Sequence, residues 1–96
     1  MTYGVYCIRD AKTGFMTPTI DQTDYSAIRN FVHAVCTSDG ILHTHASDFD
    51  LYFLGHFNTE TGEIVPKSVP MLLFSGSSAS LGSLSSTEDY READYE

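Results

Sequence analysis

The sequence has little that would cross-link it, insert it into a membrane or export it. Its two cysteines, Cys7 and Cys36, are too few for a disulfide framework, so we expect reduced, half-buried thiols. No apolar run approaches the roughly 20 residues that a membrane-spanning helix needs. The start of the chain also lacks the basic and then apolar segments of a secretory signal. We therefore predict a cytoplasmic protein with no membrane partner.

Basic residues are also scarce, with five Lys and Arg against 13 Asp and Glu and a net charge of -8. Five of the acids and one arginine lie between residues 88 and 96, so this end carries -4 and residues 1–87 carry the other -4. Clustered Lys and Arg supply most of the affinity of proteins for nucleic acid. Tight, sequence-independent DNA binding by a single copy is therefore disfavoured.

The chain contains the same turn pattern twice, Asp or Asn, any residue, a charged residue, Thr and Gly. It occurs at Asp10–Gly14 and at Asn58–Gly62, with strand-like residues on both sides. The first side chain can accept a hydrogen bond from the backbone two residues later, and the glycine can adopt a positive φ. Each copy therefore predicts a β-hairpin.

An amphipathic helix is predicted between the two hairpins, over residues 24–36. Oxygen-bearing side chains at 21–24 suit its start, and Gly40 suits a left-handed cap at its end. Its apolar stripe follows the spacing i, i+3, i+4 and i+7: Ile28, Phe31, Val32 and Val35. The order ββαββ predicts an α+β domain, a small antiparallel sheet with one helix packed on one face.

The strand patterns predict positions within that sheet but leave its strand order open. Residues 3–9 are largely apolar on both faces, which indicates a central strand, whereas Pro18 places the end of the next strand at an edge or outside the sheet. In residues 50–57, Leu51, Phe53, Gly55 and Phe57 alternate with a second set that places His56 on the outer face. Pro66 and Pro70 suggest a broken or edge strand before residue 74.

The composition changes abruptly at Ser75. Residues 75–86 hold seven serines and two glycines, and the acidic end follows. Such a segment buries too little apolar surface to offset its ordering entropy. We therefore expect a globular domain over residues 1–74 and a disordered C-terminal tail over 75–96. The tail can solvate the protein, compete with DNA for a basic surface, or dock on a partner through Tyr90 and Tyr95.

Four segments of the sequence, in this order, resemble the small nonstructural protein of gokushoviruses, bacteriophages of the microvirus group with single-stranded DNA. They are Ile8–Pro18, Ala27–Val35, His45–Phe57 and Thr61–Pro66. The resemblance spans about residues 3 to 74 and leaves the tail outside. It implies a non-capsid protein of the infected host cytoplasm that assists viral single-stranded DNA replication or its switch to packaging. It supplies no catalytic motif.

Residues that often carry chemistry do not form a convincing catalytic pattern here. His43 and His45, with Asp48 and Asp50 nearby, superficially suggest a metal site, but a solvated loop is the simpler interpretation. The two cysteines fall on predicted core-facing elements, where free thiols act as small apolar groups. We therefore expect no enzyme activity, no cofactor and no metal.

Aromatic and basic side chains supply a candidate surface for nucleic acid or a protein partner. Bases stack on exposed rings at on the order of 1–3 kcal/mol each, and a few cations can surround such rings. The same aromatics can instead complete a core or a homodimer interface, and we expect a homodimer, formed through the uncovered sheet face or an edge strand. The favoured role is an adaptor for a viral replication or assembly protein, and the alternative is weak single-stranded-DNA binding. The candidate residues are Tyr3, Tyr6, Arg9, Lys12, Phe15, Arg29, Tyr52 and Lys67.

Overall fold

In the computed structural model, which describes residues 1–81, the two predicted hairpins and the helix between them are present. Three strands precede the main helix, two short helical segments follow it, and two long strands and a final helix complete the order. The elements are β1 (Thr2–Asp10), β2 (Gly14–Phe15), β3 (Thr19–Asp21), α1 (Asp24–Thr37), α2 (Ile41–Thr44), a 3-10 turn (Ala46–Asp48), β4 (Phe49–Asn58), β5 (Ile64–Ser75) and α3 (Gly76–Leu81).

The sheet is antiparallel and has five strands, in the order β2-β1-β4-β5, with β3 also paired to β1. The hairpins therefore meet through their first strands, β1 and β4, which are both central. Pro18 has no N–H for a ladder, and the return strand of the first hairpin is divided around it into β2 and β3. The sequence predicted β1 as central and the end of this return strand at an edge or outside the sheet, but it did not predict the division or strand β3.

Both repeated turns are built as the sequence predicts. Gly14 has φ of 120° and Gly62 has φ of 78°, values that favour glycine. Asp10 Oδ1 accepts a 2.9 Å hydrogen bond from the N–H of Lys12, and Asn58 Oδ1 accepts one of 2.8 Å from the N–H of Glu60. The two-residue offset predicted for these side chains is therefore confirmed.

Helix α1 begins one residue after Thr23, whose side-chain oxygen accepts the N–H of Ser26 at 3.1 Å. Its predicted apolar stripe is confirmed, with Ile28 partly buried and the remainder buried. The predicted left-handed cap at Gly40 is wrong, because the helix ends on extended backbone at Ser38 and the N–H of Ser38 bonds to Ala34 O. Gly40 instead precedes the short helix α2.

A bulge in β4 changes the face on which its later side chains lie. Val5 pairs with Gly55 and Tyr6 pairs with Phe53, so Leu54 is an extra residue in the ladder. The strict alternation expected for this strand is therefore wrong beyond Phe53. His56, expected on the outer face, lies with its ring centroid 5.1 Å from that of Phe53, on the side that carries the helices.

The segment after residue 74 departs from the expected tail. Ser75 is the last residue of β5, and α3 follows it directly. Ala79 of α3 is fully buried in the core, and the N–H of Gly76 donates a 3.1 Å hydrogen bond to Asp50 Oδ1. A flexible tail beginning at Ser75 is thus wrong for residues 75–81, because one small buried side chain and this hydrogen bond attach them to the domain. The remainder of the predicted tail, 82–96, lies outside the described residues.

One hydrophobic cluster joins the helices to one face of the sheet. Tyr6, Leu51 and Phe53 supply its sheet side. Each helical segment of residues 1–81 also contributes to it, through the α1 stripe, Leu42 of α2, Ala46 of the 3-10 turn and Ala79 of α3. None of the helices in this part of the chain has the length and apolar character needed to cross a membrane.

Candidate functional site

The second face of the sheet is the candidate site. Along β1, Tyr6 and Ile8 pack in or against the helix-side cluster, whereas Val5 and Cys7 are buried without belonging to it. Successive side chains of a strand point to opposite faces. Val5 and Cys7 therefore lie on the face opposite the helices, together with Tyr3 and Arg9.

The strand register extends this face across the whole sheet, because directly paired residues share a face. Arg9 pairs with Phe15 of β2 and with Asp50 of β4, and Val5 pairs with Ile20 of β3. The remaining positions follow from pairs with β4 and β5. We call this surface the open face: Tyr3, Val5, Cys7, Arg9, Phe15, Ile20, Asp50, Tyr52, Phe57, Ile64 and Leu72.

The open face is apolar and its outer members are accessible. Phe15 is 47% exposed and Leu72 is 53% exposed, and Ile20 and Ile64 are also exposed. All helical segments of residues 1–81 pack on the other side, so within this part of the chain no helix covers this face, although its central side chains Val5 and Cys7 are buried. Large exposed apolar surfaces are rare on monomeric domains, and they are typical of interaction sites.

A basic and aromatic group lies at one end of the open face. The rings of Phe15 and Tyr52 meet edge to face, with centroids 5.4 Å apart and planes inclined by 72°. The guanidinium carbon of Arg9 lies 6.0 Å from the centroid of Phe15, at the outer limit of a cation–π contact. Two exposed or half-exposed rings beside one cation can accept a planar ligand. Asp50 pairs with Arg9 on the neighbouring strand, and its negative charge disfavours an anionic ligand.

The structure brings four of the eight predicted surface residues together on this face: Tyr3, Arg9, Phe15 and Tyr52. Lys12 lies in the exposed turn that joins β1 to β2. Arg29 is exposed on α1, on the helix side, and Lys67 is exposed on β5. Those three cations therefore do not surround a single site.

Tyr6 is the clear error in that prediction. Its side chain is 1% exposed, its ring lies 5.6 Å from that of Phe53, and its hydroxyl donates a 2.6 Å hydrogen bond to Asp24. Tyr3 and Tyr6 are an odd number of residues apart, so a strand cannot present both on one face. The spacing of Tyr3 and Tyr6 in the sequence was therefore enough to show that they lie on different faces.

Ile20, Phe57, Ile64 and Leu72 belong to the open face but were not among the predicted site residues. The β4 bulge at Leu54 moves Phe57 to this face, and a bulge in β5 sets the position of Leu72. Ile20 depends on β3, which has only three residues. Registers of this kind depend on pairing between strands, which the spacing of one strand does not reveal.

The loop histidines have separate partners. Nδ1 of His43 lies 2.8 Å from the carbonyl oxygen of Val35, and Nδ1 of His45 lies 2.8 Å from Oγ1 of Thr44. Within residues 1–81, no three His, Cys, Asp or Glu side chains are grouped to hold a metal ion.

A shallow, mainly apolar hollow of about 350 Å³ lies between the first hairpin turn and the segment before β4. One polar member is already engaged, since Asp10 Oδ1 accepts the N–H of Lys12. The backbone carbonyl of Asp48 accepts the N–H of Ala11 at 2.8 Å, which fixes the two walls together. The lining residues are Asp10, Lys12, Thr13, Ile41, His45, Asp48 and Phe49.

Cys7 lies near the centre of the open face but is not poised for nucleophilic chemistry. It is 2% exposed, and burial raises the pKa of its thiol. The thiolate is the reactive form of cysteine, so a raised pKa lowers reactivity at neutral pH. Both cysteines of the chain are free.

Comparison with known proteins identifies a family. A family model described as phage ORF5 protein matches residues 3–79, which include all of β1 but its first residue, the other four strands of residues 1–81 and the first residues of α3. No curated protein and no solved structure matches the chain.

Proposed function

Because this chain belongs to the phage ORF5 protein family, we propose that it is a non-enzymatic accessory protein that binds another viral protein. In this proposal it acts in the host cytoplasm as an adaptor during viral single-stranded DNA replication or the switch to packaging. The resemblance to the small nonstructural protein of gokushoviruses supports that stage of infection.

The observation that carries the adaptor role is the exposure of β5. Its first nine residues, from Ile64 to Leu72, are all exposed. Among them, Val65 and Met71 pair with the helix-side residues His56 and Phe53, so they lie outside the open face. Val69 lies two residues before Met71 on the same strand and therefore shares its side, and it is 67% exposed. We call these three residues the β5 ridge. An apolar strand with both faces accessible stabilises its own domain little, and it offers side chains to a partner.

The electrostatic balance favours a protein partner over DNA for this surface. Lys67 is the one charged residue within β5, and the whole chain carries -8. A surface that neutralises phosphates needs several Lys and Arg together, whereas an apolar ridge binds a protein through burial of its side chains.

The test measures binding of the full-length chain to two purified proteins of the same phage, its replication protein and its capsid protein. We expect one of them to bind, and Val69→Asp to weaken that binding by about tenfold or more. Ser47→Asp adds the same charge at an exposed site in the 3-10 turn and is the matched control. Failure of both proteins to bind, or equal binding by both variants, contradicts the adaptor role.

A second candidate, weak single-stranded-DNA binding, is favoured by the contact of Phe15 with Tyr52 beside Arg9. Fluorescence anisotropy with a labelled oligothymidylate, at low and physiological salt, tests it. Micromolar binding that falls steeply with salt, and is lost in Arg9→Gln but kept in Arg29→Gln, supports DNA binding. The same titration with a chain ended after Leu81 tests whether the acidic end affects DNA binding. Absence of binding at low salt eliminates this candidate.

A further inference from the structure

We propose that the open face is the interface between two copies of this chain, packed sheet against sheet. The proposal goes beyond the adaptor role and does not depend on it, because the β5 ridge lies outside the open face. A sheet normally buries each apolar face against another layer. Here the helices cover one face, and a second copy supplies the layer for the other.

The size of the face matches what a dimer needs. The sheet path has four strands, and β1 has nine residues. At about 4.8 Å between strands and about 3.4 Å per residue, the face measures roughly 19 by 30 Å. Two copies then bury roughly 1,200 Å² in total, which reaches the lower end of stable protein interfaces.

The charges of the face suit self-association. Its charged positions are Arg9 and Asp50, which lie directly opposite each other on β1 and β4. Their charges cancel within one copy, so residues outside the open face carry the net charge of -8. Two copies that meet through this face therefore place no excess of like charge within the interface. A twofold arrangement can also bring Arg9 of one copy to Asp50 of the other, as a self-complementary interface requires.

The free edges of the sheet are poorly suited to the other route, edge-to-edge pairing. The N–H of Asn58 donates to Glu63 O, and His56 pairs with Val65. Hydrogen-bonded and non-hydrogen-bonded pairs alternate along an antiparallel ladder, so the backbone nitrogen of the next residue, Pro66, points to the free edge of β5. Proline has no N–H to offer there, and Pro18 interrupts the opposite edge of the sheet. The face is therefore the better interface.

The experiment is sedimentation equilibrium of the full-length chain from about 1 to about 100 μM, the range where an interface at the lower size limit associates. We expect a mass twice that of the 10.6 kDa chain at the upper concentrations. Leu72→Asp and the milder Ile20→Ser, both at exposed open-face positions, should weaken the dimer by at least about tenfold. Circular dichroism verifies that each variant is folded.

Val69→Asp is the matched control, since it introduces the same charge on β5 outside the open face. It should leave the dimer unchanged even if it abolishes binding of a viral protein. A monomeric mass over the whole range would overturn the proposal. This holds also if the chain is monomeric because another part of it covers the open face. A dimer that resists both open-face variants, or that Val69→Asp weakens equally, would also overturn it.

Discussion

The hydroxyl of Tyr6 donates a 2.6 Å hydrogen bond to Oδ1 of Asp24, which ties the central strand β1 to the first turn of α1. The ring of Tyr6 is fully buried in the helix-side cluster, and only its hydroxyl reaches this polar partner. Burial first, and then the hydrogen bond and negative charge of Asp24, raise the pKa of Tyr6. One side chain thus contributes both apolar burial and a directional contact that positions the helix.

Tyr6→Phe should keep the packing of the ring and lose the hydrogen bond to Asp24. We expect the free energy of unfolding to fall by about 1.5–3 kcal/mol, the usual contribution of a hydrogen bond to a charged group. Urea unfolding at neutral pH measures it. Tyr3→Phe is the matched control, because the Tyr3 hydroxyl accepts only an exposed 3.3 Å bond from Gln22. Equal losses in the two variants would contradict the assigned role of Tyr6.

The stability of the wild type should also depend on alkaline pH through Tyr6. The hydroxyl ionises near pH 10 in the unfolded chain and at higher pH in the folded one, so the folded state holds more protons above pH 10. The stabilisation is complete below about pH 10 and falls by up to about 1.4 kcal/mol per further pH unit. The difference between wild type and Tyr6→Phe, measured by urea unfolding across this range, should shrink accordingly. A constant difference would contradict the raised pKa.

Local sequence patterns were sufficient to predict the parts of the fold that depend on neighbouring residues. The apolar spacing of α1 and the Asp10–Gly14 and Asn58–Gly62 turns each need only a few consecutive positions, and all three are present. The central position of β1 was also predicted, since residues 3–9 are largely apolar on both faces, and β1 lies between β2 and β4 in the sheet.

Features that depend on distant pairing were not predictable from the same patterns. The extra residue Leu54 exchanges the faces of Gly55 and His56, and only the register with β1 reveals it. Helix α3 has a Ser-rich composition typical of a linker, yet Ala79 is buried and Gly76 contacts the backbone of the 3-10 turn. The open face depends both on local alternation and on pairing between distant strands. The sequence therefore predicted that an uncovered face exists but identified only some of its residues.

Gly76→Ala should destabilise the domain through a steric clash. A Cβ at this position would overlap the carbonyl oxygens of Ala46 and Phe49, which are backbone atoms held by the 3-10 turn and β4. We expect a loss of about 1–3 kcal/mol, as for other overpacked sites. Ser77→Ala, an exposed position in the same helix, should change stability by less than about 0.5 kcal/mol. Thermal or urea unfolding compares the two, and equal stabilities would mean that α3 does not pack closely at Gly76.

The attachment of α3 also predicts the outcome of shortening the chain. A chain ended after Ser75 loses the buried Ala79 and the bond from Gly76 to Asp50, whereas one ended after Leu81 keeps both. We expect the shorter chain to be less stable by about 2 kcal/mol or more. Urea unfolding of the two chains under the same conditions measures the difference. Equal midpoints would restore the original expectation that the domain ends near residue 74.

The two cysteines should differ sharply in reactivity. Cys7 is almost completely buried, its thiol donates to the carbonyl oxygen of Met16 at 3.3 Å, and burial raises its pKa. Cys36 is half-buried on α1, with its thiol 3.5 Å from the carbonyl oxygen of Ala79. Because an accessible thiolate attacks a disulfide reagent and displaces its leaving thiolate, the reagent should label Cys36 in the folded protein and reach Cys7 only when the domain opens.

Single variants assign the labelling. Cys36→Ser should leave a slow reaction that mild denaturant accelerates, since the reagent then depends on opening of the sheet around Cys7. Cys7→Ser should keep the fast phase of the wild type. Labelling of Cys7 at the rate of Cys36 would show that the centre of the open face is accessible, which is incompatible both with its burial in one copy and with a second copy packed over it.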